Sequence, residues 1–262
     1  MTVTPGTAPE ADLVAEARRL LAAVEAADAP ARLIGGMAIR LLLGDRLDPI
    51  FVRDIADLDF VCARGAGGRL GDVLTDLGYL ADEQFNALNG ARRLLFLDPG
   101  HGRQIDVFVG SFEMCHELPL TDRLDARPAT LPAADLLMTK LQIVKLNRKD
   151  QRDAFALLDG AEVADGDSAA DGSAAIDARR IASLTSQDWG LQRTFELNLD
   201  RLRDSLEQLE LADRRAAIAS RIDRLATAMD DAPKSRKWKL RARIGERKQW
   251  YEEPEEVQRD GG

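Results

Sequence analysis

Cysteine and histidine are almost missing from this chain. Of 262 residues, only Cys62 and Cys115 are cysteines and only His101 and His116 are histidines. A structural zinc site needs four such ligands at close spacing, so a zinc centre is not expected. Two cysteines without paired spacing also give no disulfide framework. The opening "MTVTPGTAPEADLVAEARR" lacks the pattern of a secretory signal, so a cytoplasmic protein with reduced thiols is expected. No apolar run approaches the roughly 20 residues of a spanning helix, so no membrane partner is expected. The net charge of −9 opposes general attraction to nucleic acid; any such contact needs a local basic patch.

Hydrophobic residues make up 45% and charged residues 31%, a globular balance with enough length for one large domain or two small ones. "ADLVAEARRLLAAVEAAD" has helical spacing through Leu13, Ala17, Leu20, Leu21 and Val24. "ARLIGG" reads as a strand running into a Gly-Gly turn, and "MAIRLLLGD" as a helix ending near Gly44. Asp57 to Cys62 is the next strand and "GRLGDVLTDLGY" a short helix. "ARRLLFLD" and "RQIDVFVG", joined by "PGHG", predict an antiparallel hairpin. From "LPAADLLMTKLQIVKLNRKDQRDAFALLDG" onward the spacing is helical, with Pro132 suited to a first turn and Gly160 to a stop. The expected organisation is an α/β domain over residues 1–160, a flexible linker over 161–175, and a helical C-terminal domain over 176–262 with a basic and aromatic tail. The linker segment, "GAEVADGDSAADGSAA", is small, acidic and low in complexity.

Acids in apolar strands mark the chemistry. Asp57 and Asp59 stand at i and i+2, so on a strand they share one face about 6.6 Å apart. Asp is depleted from strands, and burying an unpaired carboxylate costs several kcal/mol on the usual scale. Asp106, within "QIDVFVG", raises the same problem. Three such acids on neighbouring strands suit divalent cations, which would neutralise them. An Asp-x-Asp alone says little, since Asp165-Gly-Asp167 is another; the pair could equally be a solvated strand end capped by Arg53 or Arg64.

The order of features is more specific. "LIGGMAIRLLLGDR", "RDIADLDFV" and "RQIDVFVG" together resemble the nucleotidyltransferase fold of the polymerase-β type, nearest to the bacterial branch of AbiEii-like proteins and MenT-type toxins. The matching positions are Gly35, Gly36, Arg53, Asp57, Asp59, Asp106, Lys140, Lys149, Asp150 and Asp153, spread over about residues 30 to 160. The resemblance implies a small mixed sheet with flanking helices and a helical C-terminal domain. It implies NMP transfer from an NTP such as ATP to a hydroxyl of tRNA, protein or a small molecule, with two Mg2+ ions. Asp57, Asp59 and Asp106 would hold metal, Asp106 would help deprotonate the acceptor, and Lys140 and Asp150 would complete the catalytic set. Gly35, Gly36, Arg53 and Lys140 would meet the nucleotide. Toxin-like action on tRNA and an antitoxin partner are the further implications. Ile55 stands where this family often has Thr or Ser, which leaves a catalytically inactive binding or regulatory protein as the alternative.

Single residues keep plain readings beside these. Gly35-Gly36 could be an ordinary strand-to-helix turn, and Lys140 a lysine that snorkels from an apolar helix face. Lys149, Asp150 and Asp153 could form a surface charge group with Arg148 and Arg152. The tail "KSRKWKLRARIGERKQWY" has eight Lys or Arg between Lys234 and Lys248, beside Trp238, Trp250 and Tyr251. Interleaved cations and rings suit RNA; equally, the tail can fold over the acidic body.

Overall fold

The computed structural model describes residues 8–211 and 214–253. The loose start, residues 1–7, and the acidic end of the tail, residues 254–262, lie outside the described residues.

The first helix, α1 (Leu13–Ala26), starts where the Asp12 carboxylate accepts the N–H of Ala15, and it buries Ala17, Leu20 and Val24 at helical spacing. β1 (Ala31–Ile34) passes directly into α2 (Gly35–Leu43), so the two glycines open the helix rather than forming a separate turn. β2 (Asp57–Cys62), α3 (Gly67–Asp76), β3 (Leu80–Ala81) and α4 (Glu83–Asn89) follow. Next come β4 (Arg93–Asp98) and β5 (Arg103–Val109), which form the expected antiparallel hairpin. The five strands lie in the order β1-β2-β5-β4-β3. β2 and β5 are parallel at its centre, and the other pairings are antiparallel. β3 and α4 carry too few residues for a periodic signal.

Alternation divides the central strands. Leu58, Phe60, Ile105 and Val107 are buried on one face, whereas Asp57, Asp59, Gln104 and Asp106 fall on the other. Gly67 and Gly71 of α3 pack closely against Val109 and Phe96, which places α3 on the apolar face.

After the small antiparallel pair β6 (Phe112–Glu113) and β7 (Glu117–Leu118), the long helical stretch divides into α5 (Ala133–Leu141) and α6 (Arg148–Gly160). Asn147 makes the division, because its side chain accepts the N–H groups of Lys149 and Asp150 at 2.9 and 3.0 Å. The apolar pattern cannot show such a break. Pro132 precedes α5 and Gly160 closes α6, as expected.

Residues 161–175, expected as a flexible linker, contain β8 (Glu162–Ala164) and run into β9 (Ala175–Asp177), which pair in parallel. Val163 and Ile176 are buried there, and Arg224 donates to the Val163 carbonyl at 2.6 Å. The polar composition of the segment hid those two apolar anchors. The helices α7 (Ala178–Thr185), α8 (Trp189–Leu206), α9 (Arg214–Asp231) and α10 (Arg236–Ala242) complete the mixed α/β architecture, a small mixed sheet with flanking helices and a helical C-terminal region. One hydrophobic cluster runs from Ala17 through the sheet to Met229, so the helical region shares its core with the sheet. Among the described residues, no helix is long and apolar enough to cross a membrane.

Candidate active site

The strand register brings the three acids together. Asp59 lies beside Asp106 across the parallel β2–β5 pair, and Asp57 is one alternation away on the same face. On its other side Asp59 meets Ile34, the last residue of β1. Gly35 follows with φ +70, where a side chain is strained, and a Cβ there would overlap the Asp59 Oδ2 atom. A Cβ on Gly36 would lie 2.5 Å from Nη2 of Arg53. Both glycines therefore let two charged side chains approach the first turn of α2. Gly35→Ala should cost roughly 1–2 kcal/mol in backbone strain alone and displace the Asp59 carboxylate. A thermal melt and a Mg2+ titration of that variant would read both effects; an unchanged pair would refute the close approach.

Asp59 is half-buried, and its surroundings oppose its charge. Burial, then the Asp57 and Asp106 carboxylates, push its carboxyl up to about 8, with Lys140 and Arg93 opposing. Burial also raises Asp106, although the Arg93 guanidinium from β4 counters it. Arg93 Nε donates to both Asp106 oxygens at 2.8 and 3.1 Å, and its Nη2 pairs with Oδ2. The Phe108 and Phe85 rings lie 5.0 and 5.9 Å from that guanidinium. Among the described residues, no group of three or more His, Cys, Asp or Glu side chains stands ready as a metal-ligand set. Asp57 and Asp59 fit a hard cation, being oxygen donors whose crowding a positive charge would relieve. Asp106 is engaged by Arg93 through both oxygens, so a cation there competes with the guanidinium for it.

The remaining expected residues form a different unit. Arg53, ahead of β2, donates through Nε and Nη2 to the two Asp153 oxygens, each at 2.8 Å. Lys140 Nζ on α5 reaches Asp150 Oδ1 and Asp153 Oδ2, both at 2.9 Å. Burial opposes the charges of Lys140 and Asp153, yet their partners outweigh it. The lysine is held above its ordinary range and Asp153 below the carboxylate range. Lys140 is thus no surface-seeking lysine: it and Arg53 clamp α6 through Asp153, and Asp150 is its counter-ion. Asp153 is central to this network, although the resemblance gave it no role. Its signal in the sequence was its α6 position, between Phe155 and the capped helix start.

These elements enclose an open cleft of about 930 Å3, lined by Gly36, Asp57, Asp59 and Lys140 and, on α6, by Arg148, Lys149 and Arg152. The three α6 cations are exposed. Ile55 packs against the core, with its Cγ1 3.5 Å from the Cβ position of Gly36, so an apolar group stands where a hydroxyl was expected.

Other residues lie elsewhere. Cys62 is buried and its thiol is pushed up to about 12, which keeps it protonated and inert. His116 shares a 2.8 Å hydrogen bond with Thr194 Oγ1, and burial lowers it to about 4, so it is neutral near pH 7. The basic tail folds onto α8: Trp238 Nε1 donates to Gln192 Oε1 at 3.1 Å and Trp250 Nε1 to Thr194 Oγ1 at 3.0 Å. The Glu252 N–H donates to the Cys115 carbonyl at 3.0 Å. The fold-over reading of the tail describes these contacts, and Trp238, Trp250 and Tyr251 are half-buried by them.

No protein-family model matches the chain, and no curated protein does either. Among solved structures, the chain is similar to the solution structure of the antibiotic-resistance factor ANT(2'')-Ia. The identity is 16% and the TM-score 0.39, over 55% of this chain and 81% of that one.

Proposed function

We propose that the chain is a metal-dependent nucleotidyltransferase, moving a nucleoside monophosphate from a nucleoside triphosphate to a hydroxyl acceptor. The reading is carried by the convergence of Asp57, Asp59 and Asp106 on one sheet face beside the Gly35-Gly36 helix start. Asp57 and Asp59 would hold Mg2+, with Asp106 joining them after release from Arg93. Bound there, Mg2+ supplies charge neutralisation for the transferring phosphoryl group. The first turn of α2 presents backbone N–H groups at its positive end, suited to an anionic phosphate. Arg148, Lys149 and Arg152 line the same cleft and receive the rest of the triphosphate. Arg53 and Lys140 act at one remove, by fixing α6 through Asp153. Asp106 takes the acceptor proton, the freed oxygen attacks the α-phosphorus, and pyrophosphate leaves.

The test is incubation with labelled nucleoside triphosphates, Mg2+ and pools of RNA, protein and small hydroxyl compounds, set beside the Asp57→Ala/Asp59→Ala double variant. Label transferred by the wild type alone supports the reading; no transfer and no nucleotide binding would sink it. An RNA or antitoxin partner has no counterpart among the contacts described.

Because the Asp59 carboxyl sits near 8, metal and proton compete for it. Mg2+ affinity should rise with pH from about 5 to 8, and binding at pH 6.5 should release close to one proton. Calorimetry in buffers of different ionisation enthalpy measures that release. A pH-independent affinity would show that the metal does not bind Asp59.

Two observations favour a second reading. Asp106 is already neutralised by Arg93, and Ile55 brings no hydroxyl, an arrangement suited to a non-catalytic nucleotide-binding module. That module would show a Mg2+ and nucleotide thermal shift without any transfer.

A further inference from the structure

A second cavity, of about 1030 Å3, opens beside the hairpin β6–β7, between the start of α8 and the tail. Its volume suits a small organic ligand. One side is aromatic. Trp189 and Trp250 meet edge to face at 6.0 Å, Trp250 and Tyr251 at 5.5 Å, and the Arg241 guanidinium lies 4.8 Å from the Trp189 ring. The facing wall holds Arg93, between the rings of Phe85 and Phe108. Arg93 is therefore shared: it borders this cavity while it pairs with Asp106, the register neighbour of Asp59.

Arg93 and Arg241 are partly buried against rings, whereas the exposed rim carries both signs, Glu113, Glu117, Glu252 and Glu253 beside Arg92, Lys237 and Lys248. Two inner cations beside rings attract a small anion that carries an aromatic ring. An aromatic cation would meet Asp188, which is already paired with Lys237 at 3.6 Å and accepts the Leu191 N–H, and behind the wall Asp106, which Arg93 holds.

We propose that this cavity binds a small aromatic anion, whose charged group pairs with Arg93 and so releases Asp106. The ring system lies against Trp189, Trp250 and Tyr251, and Lys248 assists from the tail. The second half of the statement rests on the reading of Asp106 as a metal ligand. If that reading holds, the ligand completes the carboxylate set, and Mg2+ and ligand strengthen one another's binding by the same factor. The nucleotide cleft is then fully armed only when the second cavity is filled.

Calorimetric titration of the full chain without Mg2+ tests the cavity, with 1-naphthyl phosphate, 1-naphthol, 1-naphthylmethylamine and a twelve-residue oligothymidylate as probes. The phosphate should bind at least about tenfold tighter than the neutral and cationic probes. Lys248→Glu should weaken it about tenfold, and Arg93→Gln should erase its advantage over naphthol; circular dichroism checks that both variants fold. Equal binding of the cation, tighter binding of the oligonucleotide, or indifference to Lys248→Glu would overturn the proposal. A Mg2+ titration with and without saturating 1-naphthyl phosphate tests the coupling, with about tenfold tighter metal binding expected. Ligand binding with unchanged Mg2+ affinity overturns the Arg93 link. Ligand binding with no Mg2+ binding at all overturns the functional reading and leaves the cavity standing.

Discussion

Asp59→Asn should abolish transfer and, in the metal-free protein, raise stability. The two effects have one origin. Asp59 is crowded by Asp57 and Asp106 and partly shielded from water, so its charge is tolerated rather than welcomed. A group whose folded value lies above its unfolded value contributes most below the unfolded one, near 4. That contribution fades as pH rises through the folded value, near 8. The uncharged amide escapes this loss. The melting temperatures of variant and wild type should therefore coincide near pH 4 and separate upward to about pH 8, each kcal/mol relieved being worth about 2–4 °C. Mg2+ should reverse the order by stabilising only the wild type. Losing a metal ligand should slow transfer about 10³-fold or more, since metal stabilisation of the transition state is worth several kcal/mol and each 1.36 kcal/mol is tenfold. A variant that melts below the wild type at pH 8 would refute the crowding argument.

Asp153→Ala should be the most destabilising single change in the cleft. Asp153 is buried and accepts from Arg53 and Lys140 together, so its loss leaves two enclosed cations without their shared partner. Breaking a buried ion pair from one side costs about 3–5 kcal/mol, or about 6–20 °C in melting temperature. The sign with pH is opposite to that of Asp59. Arg53 and Lys140 hold the Asp153 carboxyl low, so its stabilisation is present above about pH 4 and lost in stronger acid. The deficit of the variant should accordingly shrink as pH falls through that range. The nucleotide KM should rise more than kcat falls, because α6 and its cations lose their anchor. A melt within a degree of wild type would show that Arg53 and Lys140 find other partners.

Much of the central sheet was legible because its signals are local. "DLDFVC" alternates acids with apolar residues, "PGHG" separates two apolar runs, and Gly35-Gly36 closes a strand. Each follows from a period or a turn residue within about ten positions. What was not legible depends on contacts far along the chain. Arg93 is 13 residues from Asp106 and meets it only because the β4–β5 register sets both on one face. Arg53 and Asp153 are 100 residues apart. No pattern inside "NRKDQRD" distinguishes the acid that holds two cations from those that meet solvent. The same limit hid β8 and β9, whose polar surroundings masked two buried apolar side chains.

The sequence by itself determined that the chain would fold as a mixed α/β protein with three acids in apolar strands, since strand alternation forces Asp57 and Asp59 onto one face. It also determined the unusual backbone at the start of α2, because a glycine alone sits at φ +70 without strain. Only the tertiary structure decided how those charges are balanced. Parallel pairing of β2 with β5 put Asp106 beside Asp59, the hairpin delivered Arg93 to Asp106, and the placement of α6 brought Asp153 to Lys140 of α5 and to Arg53 ahead of β2. Charge compensation in a low-dielectric interior depends on distances of a few ångströms between distant segments, and a one-dimensional pattern does not contain those distances.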